Sequence, residues 1–230
     1  MTRILLVHGA IADGSSWSRV ILHLQDAGFA VTAVQQPLTS IEDDVKVVKA
    51  ALAGLNSTSS DPIVVVGHSF GGLVITNAAT DVPNIKALVY VMAFAPDEGE
   101  AVRALGAKFP ALPSASEFIT EGSGRLILSE KNFLKYFAPD VNDRDARVLA
   151  ATQGPCDAAR FEFVCGRPAW KQVNNLYYIV GENDEIIHPD LEAWFAKRMG
   201  AKTYKLKASH AGLISQAGVV AQTIIEAAKS

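Results

Sequence analysis

Ser69 stands between two glycines in Gly67-His68-Ser69-Phe70-Gly71, and its surroundings make it a candidate nucleophile. The apolar run Pro62-Ile63-Val64-Val65-Val66 precedes it and reads as a buried parallel strand. Gly72-Leu73-Val74-Ile75-Thr76-Asn77-Ala78-Ala79 follows and reads as a helix packed on that strand. A serine at so sharp a strand-to-helix turn is pushed above the sheet edge in a strained conformation. Side chains larger than glycine on either side would meet neighbouring backbone. The pentapeptide alone would be weak evidence, since a tight turn needs no chemistry; its context is what carries weight.

A serine hydroxyl needs a base to take its proton. Of five histidines, His68 lies inside the turn beside the nucleophile, so its side chain is expected to point away from that of Ser69. His8 closes the first strand, His23 sits in a surface helix and His188 precedes a proline at a helix start; each reads as structural or solvated. His210 differs. It follows the alternating strand Lys202-Thr203-Tyr204-Lys205-Leu206-Lys207, in the loop Ala208-Ser209-His210-Ala211-Gly212 before the last helix. That puts it on the carboxyl edge of the sheet, with Ser69, where open α/β sheets place their sites.

A carboxylate must fix the imidazole tautomer. Asp184 is the leading candidate, a few residues past the strand Asn175-Leu176-Tyr177-Tyr178-Ile179-Val180-Gly181. Glu182 and Glu185 compete locally, and Asp97, after the strand Ala87 to Phe94, is a more distant rival. An oxyanion would be met by two backbone N–H groups. Phe70, next to the nucleophile, offers one; Ala10 offers the other, because Gly9 lets the chain turn tightly after the strand Arg3-Ile4-Leu5-Leu6-Val7.

Strands and helices alternate to position these groups. Strands are expected at 3–7, near 29–35, at 62–66, near 85–94, at 175–180 and at 202–207. Helices are expected near 15–27, near 41–54, after the serine turn, near 190–199 and from about 213 to 229. Gly14-Ser15-Ser16 is a serine-rich start able to cap the first helix, and Asn56 to Asp61 reads as a polar loop. Right-handed crossovers then give an α/β fold, a doubly wound, mostly parallel six-stranded sheet. Between 97 and 172 the alternation breaks at repeated prolines among short helical patterns. This segment is expected to sit as a helical cap insertion on a core formed by 1–96 and 173–230. Ile11, Phe94, Phe137 and Phe163 are the candidate pocket residues, since a cap supplies the apolar walls of a small-molecule site.

A chain of 230 residues with 49% hydrophobic content can bury one substantial core. A net charge of −3 gives no electrostatic reason to expect nucleic acid or an anionic membrane as partner. No apolar run reaches the length of a membrane span. Met1-Thr2-Arg3 leads straight into the first strand, so no cleavable signal is expected and the cytoplasm is the default compartment. Cys156 and Cys165 form no metal pattern and read as free thiols; no metal and no other cofactor is expected.

The chain resembles the α/β-hydrolases, more narrowly the small bacterial esterase-type hydrolases related to plant methylesterases and hydroxynitrile lyases. The residues that carry this are His8-Gly9-Ala10 with Gly14-Ser15-Ser16-Trp17, Gly67 to Gly72, Gly181 to Ile187, and Ser209-His210. The order Ser69, Asp184, His210 is also the order of that superfamily. The resemblance implies a metal-free Ser–His–Asp hydrolase acting on small esters. In the lyase branch a threonine takes the place of Gly9 and a lysine follows the catalytic histidine, where this chain has Ala211. The expectation is therefore a carboxylic-ester hydrolase working through an acyl-enzyme. The alternatives are perhydrolase or hydroxynitrile-lyase-type chemistry on the same triad, or a non-catalytic ligand-binding relative. The sequence leaves the natural ester open, and the oligomeric state too, a homodimer included.

Overall fold

Four apolar runs too continuous to face water on either side form the centre of the sheet, and their crossovers decide where its working edge lies. A computed structural model describes residues 1–230. The first half runs β1 Arg3–Val7, α1 Ser18–Asp26, β2 Ala30–Ala33, α2 Ile41–Thr58, β3 Ile63–Ser69, α3 Phe70–Ala78 and β4 Ile85–Ala93. Shorter elements follow: α4 Val102–Gly106, β5 Phe118–Thr120, β6 Leu126–Leu128, α5 Glu130–Asn132 and α6 Asp143–Ala151. Regular alternation returns with β7 Leu176–Gly181, α7 Pro189–Met199, β8 Lys202–Leu206, α8 Gly212–Ser215 and α9 Ala217–Lys229.

Six strands form one parallel sheet in the order β2-β1-β3-β4-β7-β8. Every residue of β1, β3 and β7 is buried, whereas the edge strands β2 and β8 alternate or lie open. The chain leaves β1 in one direction to make β2, then returns to the other side of β1 to make β3. That reversal opens a crevice at the carboxyl ends of β1 and β3, where doubly wound sheets bind ligands. His8 to Ile11 and Ser69 stand there.

Local chemistry moves several boundaries. Asp13, rather than a serine, caps the first turn: its Oδ1 accepts the Ser15 N–H at 2.8 Å, opening a 3-10 turn that leads into α1. α2 runs on to Thr58 through part of the expected polar loop, where the Ser57 and Thr58 hydroxyls bond back to the carbonyls of Gly54 and Leu55. The segment after β4 holds an antiparallel hairpin, β5 with β6, as well as short helices. Two β-prone triplets, Phe118-Ile119-Thr120 and Leu126-Ile127-Leu128, explain it. The closing helix is broken at Gln216 into α8 and α9. No helix is long and apolar enough to cross a membrane.

Candidate active site

β3 ends and α3 begins at Ser69, whose backbone is held at φ 55 and ψ −125. A residue with a side chain is strained there, and such strain concentrates at functional sites. The approach of α3 to β3 explains the first glycine: a Cβ on Gly67 would come within 2.6 Å of the Gly71 carbonyl oxygen. The end of β1 presses against the serine as closely, for a Cβ on Gly9 would lie 2.6 Å from Ser69 Cβ and 3.1 Å from its Oγ.

His210 and Asp184 meet deep in the protein. Nδ1 of His210 donates to Asp184 Oδ2 at 2.5 Å, and both side chains are wholly buried. The other oxygen of Asp184 accepts the N–H groups of Ile186 and Ile187 at 2.7 and 2.9 Å. Nε2 of His210 is buried without a hydrogen-bond partner. No hydrogen bond joins it to Ser69 in this structure; such bonds commonly tighten only when substrate binds.

Two side chains hold the histidine loop, and a third lies behind the acid. His68 donates Nε2–H to the His210 carbonyl at 2.9 Å, with its ring 4.6 Å from the His210 ring. Burial, then the neighbouring His210, keeps His68 well below the usual histidine range, so it serves as a neutral donor. Asp140 accepts the Ser209 N–H at 3.0 Å, the Ser209 hydroxyl, and the Ser215 hydroxyl at 2.8 Å. Glu192 lies buried behind Asp184. It had a legible signal: it shares one face of α7 with Phe195, Ala196 and Met199, a charge within an apolar stripe. His68 and Asp140 had none, because their partners lie far along the chain.

The rival acids face elsewhere. Partial burial works against the charge of Asp97, but Lys171, 2.5 Å away, and the Glu98 N–H outweigh it and hold the carboxyl below its ordinary range. Glu182 is exposed and Glu185 half-buried. Among the other histidines, His8 is buried with Nε2 accepting the Gln36 N–H, and His23 is exposed. His188 caps α7 through Nδ1 and lines the cavity described next.

Ser69 opens on a cavity of about 740 Å³ with mostly apolar walls. Ala10, Ile11, Phe70, Phe94 and Phe137 line it. Phe163 does not. It lines a separate hollow of about 440 Å³ with Thr39 and Arg160, and Phe161 takes the expected place, edge-on to Phe70 with ring centres 4.9 Å apart. Phe161 lies within the 3-10 turn Ala158–Glu162, whereas Phe163 lies just past its end, where the backbone leaves the helical region at φ −57 and ψ 126, and the two rings line different hollows. Arg103 reaches the rim but is exposed and bound to Glu162. Cys156 and Cys165 are free and buried; burial raises the Cys165 thiol to about 11, which leaves it a poor nucleophile.

Ala10 N–H makes no hydrogen bond within the protein, and Phe70, first in α3, has no carbonyl partner inside its helix. Next to Ala10, the β-branched Ile11 sits at φ 49, a second strained position at the same crevice.

Known proteins resemble this chain in sequence over part of its length and in fold over nearly all of it. A carbendazim-hydrolyzing esterase of Nocardioides sp. (strain SG-4G) is 34% identical over 114 residues, covering 46% of this chain and 47% of that protein. An alpha-hydroxynitrile lyase of Arabidopsis thaliana is 34% identical over 103 residues, 40% of each chain. These matches span less than half the length of either relative. The crystal structure of polyneuridine aldehyde esterase superposes with a TM-score of 0.82 over 98% of this chain and 99% of that one, at 20% identity, a likeness of fold. Residues 4–223 match the alpha/beta hydrolase family, and the chain belongs to it.

Proposed function

We propose that this chain is a serine hydrolase that cleaves small carboxylic esters through an acyl-enzyme. One observation carries the reading: a fully buried Asp184–His210 pair at 2.5 Å serves the same crevice as a strained turn serine that opens on an apolar cavity. Ser69 Oγ attacks the ester carbonyl while its proton passes to His210 Nε2. Asp184 holds the imidazole in the Nδ1–H tautomer and stabilises the imidazolium. The N–H groups of Ala10 and Phe70 bind the oxyanion. Collapse of the intermediate breaks the bond to the alcohol oxygen, which takes the proton from His210. A water then gives its proton to His210, its oxygen attacks the acyl carbon, and Ser69 leaves with that proton as the acid departs.

Residues 97–172 serve as a cap on the core of 1–96 and 173–230, and the cap and core together wall the pocket. Cyanohydrin cleavage would need a cation to compensate the departing cyanide in a dry site. Ala211 supplies none, and Arg103, the cation at the rim, is held by Glu162. Ester hydrolysis needs only the triad and the two N–H donors.

Activated acetates and butyrates, and mandelonitrile, offered to one preparation with Ser69→Ala as the blank, test this reading. Serine-dependent ester turnover is expected, with cyanide release at the uncatalysed background. Serine-dependent cyanide release that equals or exceeds ester turnover would overturn it.

A further inference from the structure

Glu192 is a buried carboxyl for which the acyl-enzyme scheme has no task. It lies near the start of α7 with no exposed surface. Its Oε2 accepts the Gly181 N–H at 2.8 Å, while Oε1 is equally buried and meets no donor. No cation stands against it. The titratable groups that face it are Asp184, from the loop between β7 and α7, and the Tyr178 phenol of β7, with His210 on the far side of Asp184. Tyr178 is already engaged, its hydroxyl donating to the Ala93 carbonyl.

An ionised Glu192 would set a second negative charge against Asp184 in a dry interior and leave one oxygen unsatisfied, an arrangement that drives a carboxyl neutral. A proton on Oε1 changes both facts, because it removes the charge and turns the orphaned acceptor into a donor. Asp184 is the acceptor beside it. We propose that Glu192 is a positioning residue, a neutral carboxylic acid that donates its proton toward Asp184 and keeps that carboxylate's single charge fixed behind His210. Burial, then the charge of Asp184, pushes Glu192 well above the carboxylate range, and burial does the same to Tyr178. The role rests on the triad reading; the protonation does not.

Two variants and two kinds of readout test it. Glu192→Gln keeps the shape, the neutrality and a donor, so kcat is expected to stay within about threefold of wild type. Glu192→Leu removes the donor and should lower kcat by roughly tenfold, the worth of one hydrogen bond to a charged acceptor, with KM unmoved. Equal losses in both variants, or no loss in Glu192→Leu, would overturn the positioning role. Independently of activity, the folded wild type retains a proton that the unfolded chain loses above about pH 4.3. Stability therefore falls as pH rises, and the folding equilibrium constant of wild type relative to Glu192→Gln drops by about tenfold per pH unit across that window. Urea unfolding at several pH values reads this. Infrared spectra at neutral pH should show a protonated-carboxyl band that Glu192→Gln lacks. A ratio flat with pH, or no such band, would overturn the proposal. Loss of serine-directed chemistry would instead sink the ester reading and leave both proton readouts standing.

Discussion

Two aspartates near the carboxyl edge of the sheet face different partners, and that difference separates their expected roles. Asp184 is sealed against His210, whereas the charge of Asp97 is taken up by Lys171. Asp184→Asn should lower kcat on an activated ester by about 10³–10⁴-fold with circular dichroism unchanged, because an amide favours the wrong imidazole tautomer. Asp97→Asn should cost far less, and the reverse ranking would move the acid to the end of β4. His68 makes a second residue-scale prediction. Its folded-state pKa is depressed by burial and by His210, so below about pH 6.5 the unfolded chain binds a proton that the folded chain refuses. Stability should fall as pH drops through that point, by up to about 1.4 kcal/mol per pH unit for each such histidine. His8, also held low by burial, contributes its own share. In urea titrations from about pH 7.5 to 5, His68→Gln should lose one proton's worth of this slope; an acid limb identical to wild type would contradict the assignment of His68 as a neutral donor.

At the scale of elements, one buried ion pair fastens the segment after β4 to the core. Arg160, in the turn Ala158–Glu162, bonds Asp44 of α2 with both side chains wholly buried, and its guanidinium lies 5.5 Å from the centre of the Phe70 ring. Asp44 also accepts the Leu38 N–H at 3.0 Å. Arg160→Ala strands a buried carboxylate and should cost about 3–5 kcal/mol in urea unfolding. Arg103→Ala breaks an exposed pair with Glu162 and should cost at most about 1 kcal/mol. Similar losses from the two variants would show that burial does not set the difference. This region was also the least legible in the sequence. Regular helix and strand periods locate a face, but the hairpin of β5 and β6 and the 3-10 turn obey neither period for more than a few residues. Hence Phe163 reads as a wall of the cavity while Phe161 occupies that place.

Across the whole molecule, the sheet was legible because each central strand is an unbroken apolar run and every crossover except the long one from β4 to β7 is built on one main helix. Ser69 and His210 were legible because turn chemistry and strand ends put both on one edge. What stayed hidden is the support behind them: Asp140 under Ser209, His68 under the His210 carbonyl, and Arg160 against Asp44 join residues 69, 142 and 116 positions apart. No local pattern encodes such pairs; only the closed fold brings them together. Glu192 is the exception, a charge visible on an apolar helix face. The central claim is that this crevice activates one serine, and a serine-directed fluorophosphonate followed by intact-protein and peptide mass spectrometry tests it most directly. A single adduct on Ser69, absent from Ser69→Ala and much slower to form in Asp184→Asn, is the predicted result. Labelling that survives Ser69→Ala, or an adduct mapped to another residue, would contradict the account.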